Sequence, residues 1–365
     1  MHLRFFILLI ACTFHLATHG ENVSKKDSLN SKEHSGFLIL PFLLKSPETN
    51  VGFGYAAAYF FKTTKADTIL RTSDVNLLSL YTLKQQLVVV LGSVVYFKKE
   101  KKIFRWQSSY SYYPDKFWGI GNNTPSSNEE SYSIKQFYFN PQILFKIYHK
   151  LYFGASAEFQ TTKDFIYKSG GIFDKDQVAG RFGGATSGIG ILETYDSRNN
   201  AFFPTKGGFV EINTTIFSKS IGGDFDFSTN SIELKKFYAV NDNAVLAFHG
   251  FGKFNVGNVP IRNLAMIGGS EMMRGFYKGR FSDKDIITAQ TEWRQHIYNR
   301  IGVTVFASAG EVSPETSRFS FDKVHFAYGA GLRFMVEKKE KLNLRLDYGR
   351  GEGDSGLYII LKEAF

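Results

Sequence analysis

Residue types that could support nucleophilic or metal chemistry are few and scattered in this 365-residue chain. A serine hydrolase needs a serine and a histidine within hydrogen-bonding distance and a third group that orients the histidine. Ser308 and His325 are the best candidates, because they lie on neighbouring predicted strands and face the same side. No group of His, Asp and Glu has the spacing of metal ligands. We therefore expect ordinary hydrogen bonding at these two residues, no metal and no cofactor, with a lipase as the third-ranked alternative.

A glycine-rich stretch, residues 183–190, superficially resembles a nucleotide-binding loop. Such a loop cradles phosphate because a helix follows it and presents free backbone N–H groups. Here only another predicted strand follows. We interpret residues 183–190 as a flexible loop leading into that strand.

The formal net charge of +10 permits phosphate-bearing partners without selecting one. Two basic runs, residues 98–102 and 338–341, lie at predicted turns. Solvation of the turns is the first interpretation of these lysines, and contact with lipid phosphate is the second. We expect no nucleic-acid partner.

The composition favours a β-rich protein. Aromatic residues make up 16% of the chain, with 37 Phe and 19 Tyr, and Pro is scarce at 8 residues. A mean hydropathy of −0.17 excludes a protein of many membrane-spanning helices, which would need repeated apolar runs of roughly 18 residues. The abundance of aromatic residues also excludes a disordered chain.

The first 20 residues have the pattern of a secretory signal peptide. Residues 1–4 are basic, residues 5–14 are apolar, and the segment ends at the small residue Gly20. Cys12 is the only cysteine and lies inside this segment, so no disulfide is expected after cleavage. Residues 9–12 also resemble a lipobox, which leaves lipidation of Cys12 as an alternative. Residues 21–36 are predicted to be a short flexible leader.

From residue 37 onward the pattern has a period of two, as in strands with one apolar and one polar face. Residues 342–348 alternate apolar and polar side chains without interruption. Sixteen segments are predicted to be strands: 36–44, 50–62, 72–83, 85–98, 102–113, 131–148, 150–161, 187–195, 207–218, 226–240, 243–254, 285–297, 299–310, 321–336, 340–349 and 354–365.

Strand length and number indicate an all-β fold, a transmembrane antiparallel β-barrel over residues 37–365. Globular strands usually have about 5–6 residues, whereas an even number of strands of about 9–11 residues suits an outer membrane. The last predicted strand supplies a C-terminal barrel signal, Tyr358 and Phe365. The intervals 113–130, 163–187 and 256–284 are predicted outer loops, and the junctions 84–85, 148–150, 241–243 and 298–299 are predicted inner turns.

Several motifs resemble those of one bacterial family. Residues 268–276 contain Gly268-Gly269 followed by Arg274-Gly275-Phe276, and residues 194–208 contain Asp196, Arg198, Pro204 and Gly207. A loop motif at 117–124, Pro41 and the Phe-ending last strand follow the same order. This ordered set resembles the bacterial surface antigen superfamily, which comprises BamA/TamA outer-membrane assembly factors and two-partner secretion translocators.

The resemblance implies sixteen strands and a sixth outer loop that folds into the lumen. The loop arginine, here Arg274, would pair with acceptors on the inner wall, where a guanidinium binds carboxylates well. The family's usual acidic residue corresponds to Ser308 in this chain. Glu292 and Asp347 also face inward by parity, so the partner stays open among Glu292, Asp347 and Ser308.

The resemblance also implies a function in the bacterial outer membrane. Residues 21–36 are too few for a periplasmic receptor domain, so the chain is expected to be a barrel-only member. We expect a non-enzymatic role in inserting or translocating proteins or lipids, with a passive pore or a structural partner of another envelope complex as the alternative. Expected partners are outer-membrane lipid, lipopolysaccharide, and unfolded outer-membrane protein clients or other envelope proteins.

Overall fold

The computed structural model describes residues 35–64, 70–200, 203–337 and 342–365. The predicted signal peptide, most of the predicted leader and the basic run 338–341 lie outside the described residues. The first strand begins at Ser35, one residue before its predicted start at Gly36, so the predicted leader ends earlier than residue 36. In these four ranges, no helix combines the length and the apolar character needed to cross a bilayer.

Sixteen long strands form the main sheet, and two short strands form a separate hairpin. The long strands are β1 (Ser35–Ser46), β2 (Asn50–Phe61), β3 (Ser73–Thr82), β4 (Leu87–Tyr96), β5 (Lys102–Phe117), β6 (Glu130–Tyr148), β7 (Leu151–Ile166), β8 (Gly184–Asp196), β9 (Gly207–Phe217), β10 (Phe227–Asn241), β11 (Ala244–Gly257), β14 (Asp285–Tyr298), β15 (Ile301–Ser313), β16 (His325–Glu337), β17 (Leu342–Gly351) and β18 (Asp354–Leu361). The hairpin consists of β12 (Ala265–Ile267) and β13 (Phe281–Asp283), and a short helix α1 spans Ile172–Lys175.

The long strands pair in chain order, antiparallel, and β18 returns to β1, so the sheet closes into a barrel. The predicted all-β sixteen-strand antiparallel barrel is therefore confirmed. The predicted last strand, 354–365, is too long, because the observed strand β18 ends at Leu361. Lys362 has a left-handed backbone with φ of 82°, which turns the following residues out of the sheet.

The two faces of the barrel differ as the period of two predicts. Large apolar side chains stay exposed on the outside, among them Phe37, Leu43, Tyr55, Ile189 and Tyr328. Buried polar side chains line the interior, among them Gln136, Asn140, Gln160, Thr215 and Glu292. A closed sheet with this arrangement satisfies its backbone groups in hydrocarbon and keeps its polar side chains away from lipid.

The junctions alternate between two ends of the barrel. The loop end carries residues 118–129, 167–183, 218–226 and 258–284, and the turn end carries residues 97–101, 149–150, 242–243 and 299–300. The junction 83–86 lies at the loop end, so its prediction as an inner turn was wrong. The length of a short connection does not show at which end of the barrel it lies. Counting the strands from β1 does show it, because successive junctions alternate between the two ends.

Apolar side chains at the loop end pack into a cluster over the barrel. Phe117 stacks on Phe173 of α1 at 4.6 Å between ring centres, and Phe217 stacks on Phe227 at 4.3 Å. Ile261 joins the same buried cluster from the longest loop. The outer loops therefore support one another and hold the start of residues 258–284 in place.

Candidate functional site

Residues 258–284 form what we call the lumen loop, which leaves β11 and returns to β14 through the β12–β13 hairpin. Beyond that hairpin the loop runs against the inner face of β17. A Cβ on Gly349 of β17 would come within 2.6 Å of the Arg274 carbonyl, and a Cβ on Gly275 would come within 2.6 Å of Arg350. The loop and the barrel wall therefore meet backbone to backbone, which only glycine permits.

Arg274 lies at the centre of this contact, with its side chain fully buried. One guanidinium nitrogen lies 2.5 Å from Glu292 of β14, and the other lies 2.6 Å from Asp347 of β17. The guanidinium carbon lies 3.5 Å from the centre of the Phe306 ring. The structure thus places Arg274 against both acidic candidates. Buried charge-assisted pairs of this kind hold a loop in one position.

Three further arginines surround these carboxylates, and the sequence interpretation missed all of them. Arg294 donates to Glu292 at 2.7 Å, and Arg345 donates to Asp347 at 3.0 Å. Arg333 pairs with Asp347 and also with Glu363, the latter at 2.8 Å. The alternation of inward and outward side chains could have found all three. Arg294 and Arg345 each lie two residues from an acidic candidate, and Arg333 lies eight residues from the inward-facing His325.

The lumen loop also binds the strands on both sides of the barrel closure. The backbone N–H of Gly275 donates to the Tyr358 hydroxyl at 3.1 Å, and that of Tyr277 donates to Asp354 at 2.8 Å. The N–H of Lys278 donates to Glu48, in the turn after β1, at 2.8 Å. The loop therefore contacts β18 and the end of β1 from the inside.

The contact between β1 and β18, which we call the seam, is narrow. Within the described residues it has a single ladder pair, Lys45 opposite Ile359. The neighbouring contact between β17 and β18 has 8 such pairs, and that between β5 and β6 has 16. Among the strand contacts of the described residues, the seam therefore has the fewest ladder pairs.

Two acids that contact or belong to the lumen loop have raised pKa values: Glu271 is half-buried and Glu48 is buried. Burial raises the pKa of Glu271, in the lumen loop, to about 7, against the opposing effect of Lys362 and Arg345. Burial also raises the pKa of Glu48, although the Ser46 hydroxyl and the Lys278 N–H stabilise its ionised form. Protonation of these groups is thus linked to the position of the loop.

Ser308 neither pairs with Arg274 nor forms a hydrolase pair. Its hydroxyl donates to the Ala327 carbonyl at 3.3 Å. The His325 ring bonds the Asn122 carbonyl through Nε2 at 2.9 Å and stacks on Phe281 at 3.7 Å. The two side chains are each held by other groups.

The Asp196 motif builds a turn at the opposite end of the barrel. Arg198 donates to both carboxylate oxygens of Asp196, at 2.9 and 3.0 Å. Gly207 has a φ of 96°, and a Cβ there would lie 2.2 Å from the Ser197 carbonyl. Pro204 is buried in the same turn. These residues shape the β8–β9 connection and do not contact Arg274.

The two residues of the predicted C-terminal signal have different positions. Tyr358 is buried on the inner face of β18, where it contacts the lumen loop. Phe365 follows the end of β18 and lies in the barrel interior. Its ring stacks on the His249 ring, with 5.1 Å between the ring centres. Its backbone carbonyl accepts a hydrogen bond from Arg294 at 3.0 Å. The end of the described chain thus joins the same ionic network as Arg274.

An apolar outer face, a polar interior and a long loop held inside define an integral outer-membrane β-barrel protein. The Omp85 superfamily domain matches residues 49–350 of the chain. The chain belongs to the Omp85 superfamily. A search of curated proteins found no match.

Solved structures of the same fold include assembly and secretion barrels. BamA from Haemophilus ducreyi lacking POTRA domains 1–3 has a TM-score of 0.63 at 13% identity, covering 90% of this chain and 70% of that chain. CdiB from Acinetobacter baumannii has a TM-score of 0.60 at 12% identity, covering 90% and 60%. CdiB from Escherichia coli has a TM-score of 0.59 at 9% identity, covering 90% and 62%. The chain thus spans about three fifths of the two CdiB chains, and these likenesses concern the fold.

Proposed function

We propose that this barrel assists the insertion or translocation of proteins or lipids at the outer membrane by opening its seam. The observation that supports the proposal is the single ladder pair, Lys45 opposite Ile359, between β1 and β18. Unpaired backbone groups are costly in hydrocarbon, so an edge strand of a client gains hydrogen bonds by pairing there. The function is non-enzymatic, and the clients are unfolded outer-membrane proteins or lipid, including lipopolysaccharide.

The sequence of β1 supports an edge that opens. Pro41 lies within β1 and has no N–H to donate. Proline is found in sheets at edge strands, where a missing donor breaks no ladder. The lumen loop contacts β18 and the turn after β1, so it would stabilise the closed form until a client competes for the edge.

A disulfide across the seam tests this function. Lys45→Cys and Ile359→Cys face each other in the ladder, at a separation that suits a disulfide. Cys12→Ser is included in every variant. We expect the reduced protein in liposomes to accelerate the folding of an unfolded barrel client, and the oxidised protein to lose that acceleration.

The matched control is a disulfide within an intact ladder. Leu77→Cys and Leu91→Cys pair β3 with β4, which are joined by a continuous ladder of 8 pairs. This locked barrel should keep its activity in both redox states. Equal acceleration by the seam-locked protein, or no acceleration by the reduced protein, would contradict the proposal.

A further inference from the structure

The basic run 98–102 occupies the turn between β4 and β5, at the turn end of the barrel. The adjoining turn between β6 and β7 ends with the exposed Lys150. The two turns are joined, because the N–H of Lys146 donates to the Lys101 carbonyl at 2.9 Å. We call the combined surface the basic edge: Lys98, Lys99, Lys101, Lys102 and Lys150.

The one acid in this run, Glu100, is paired with an arginine outside the run. Glu100 binds Arg71 through both carboxylate oxygens, at 2.8 and 2.9 Å, and also accepts from the Tyr152 hydroxyl. Lys99 and Glu100 both have positive φ values, 55° and 53°, which non-glycine residues rarely adopt. The charge of Glu100 is therefore neutralised by Arg71 and not by the lysines of the same turn.

Three lysines of the basic edge are free to bind an anion from outside the protein. Across the described part of the chain, Lys98, Lys101 and Lys150 have no carboxylate within ion-pair distance. All three side chains are exposed. Lys102 extends its ammonium over the Phe97 ring, 4.4 Å from the ring centre.

Directly beside the basic edge, β6 presents a large apolar surface on the outside of the barrel. Ile147 is 62% exposed, and Tyr148 is 67% exposed. Phe145, two residues earlier, is also exposed and pairs with Lys102 across the ladder. Aromatic residues beside lysines are typical of the level where hydrocarbon meets lipid headgroups.

We propose that the basic edge binds the phosphates of anionic phospholipids in the leaflet at the turn end of the barrel. The turn end of an outer-membrane barrel faces the periplasm, so this is the inner leaflet. Ammonium groups bind phosphate as point charges, and the neighbouring Ile147 and Tyr148 would contact the upper acyl chains. The inference concerns lipid recognition and does not depend on the proposed opening of the seam.

Native mass spectrometry of the purified chain in nanodiscs tests this site. The discs contain phosphatidylcholine with a minor fraction of phosphatidylglycerol, and the retained lipids are counted after release. The test variant carries Lys98→Gln, Lys101→Gln and Lys150→Gln. Its preference for phosphatidylglycerol should fall at least about tenfold, because each surface lysine contributes to the attraction of anionic lipid.

A second triple variant controls for net charge. Lys163→Gln, Lys168→Gln and Lys175→Gln remove the same charge from exposed positions at the loop end. This variant should retain phosphatidylglycerol as the unchanged protein does. Unchanged retention in the test variant, equal loss in both variants, or displacement of the lipid by excess inorganic phosphate would overturn the proposal.

Discussion

Arg274 brings a positive charge into a barrel interior that already holds Arg294, Arg333 and Arg345. Its position therefore depends on the carboxylates that it meets there. Glu292 and Asp347 supply the match at 2.5 and 2.6 Å, all three side chains being fully buried. A buried ion pair adds little relative to an apolar replacement, but the loss of one partner leaves the others uncompensated. The loop is therefore most sensitive to changes that remove only one charge.

Replacing Arg274 by Ala is expected to release the lumen loop. The change should destabilise the docked loop by about 3–5 kcal/mol, because the loop loses its two buried ion pairs to Glu292 and Asp347. Limited proteolysis within residues 258–284 measures the release. Arg318→Ala is the matched control, because Arg318 pairs only at the exposed surface with Glu315. Equal protease resistance of Arg274→Ala and the unchanged protein would refute this role.

Glu271 makes the loop position depend on pH. Its pKa is about 7 in the docked loop, compared with an ordinary value of 4.5. The docked state holds the proton more tightly, so docking is favoured at low pH and weakens as pH rises through about 7. The charged groups around Glu271 are Lys362, Arg345, Lys235 and Lys278.

Loop cleavage should accordingly increase about tenfold between about pH 5 and about pH 8. Glu271→Gln has no carboxyl group to ionise and should flatten this profile. Hydrogen exchange of the loop amides, corrected for the intrinsic effect of pH, provides a second measurement. A variant with the same pH profile as the unchanged protein would rule out Glu271 as the titrating group.

At the scale of elements, the contact between β17 and the lumen loop depends on glycine residues, which have no side chain to separate the two backbones. A Cβ on Gly349 would lie 2.6 Å from the Arg274 carbonyl. Gly349→Ala is expected to displace the loop at a cost of about 1–3 kcal/mol, through overpacking alone. Gly250→Ala is the control, since its Cβ would meet nothing nearer than 3.9 Å. Hydrogen exchange at residues 274–277 should increase in the first variant and not in the second.

The strands could be predicted from the sequence because alternation is a local property. Residues 342–348 show the pattern without any knowledge of their neighbours. The bend at Lys362 could not be predicted, because residues 354–365 alternate to the end. What turns the chain inward there is a distant contact, between Glu363 and Arg333 of β16.

The candidate site, like the strands, could be predicted only as far as local alternation reaches. The family resemblance indicated that Arg274 meets the inner wall, and inward parity added Glu292 and Asp347 to Ser308 as candidate partners without choosing among them. The choice was unnecessary, because the guanidinium reaches both carboxylates. The pairing of the strands in the closed sheet places Glu292 of β14 and Asp347 of β17 next to the same loop. This arrangement cannot be seen in any single segment of the sequence.

At the scale of the whole molecule, the lumen loop occupies space that an open channel would need. Ile267 and Phe281 face each other in the β12–β13 hairpin, so Asn-Gly can join them in place of residues 268–280. We expect the shortened barrel to conduct ions severalfold better than the full chain in planar bilayers. Large stable conductance from the full chain, unchanged by the deletion, would favour the passive pore over the proposed insertase.

Both partners of Arg274 come late in the chain, which has a consequence for folding in chain order. Glu292 and Asp347 both follow the lumen loop in the chain, on β14 and β17. If the strands join the sheet in chain order, Arg274 can meet Glu292 once β14 is in place and Asp347 only after β17 has joined. In that order of assembly, only β18 is still to be added when Arg274 has met both carboxylates.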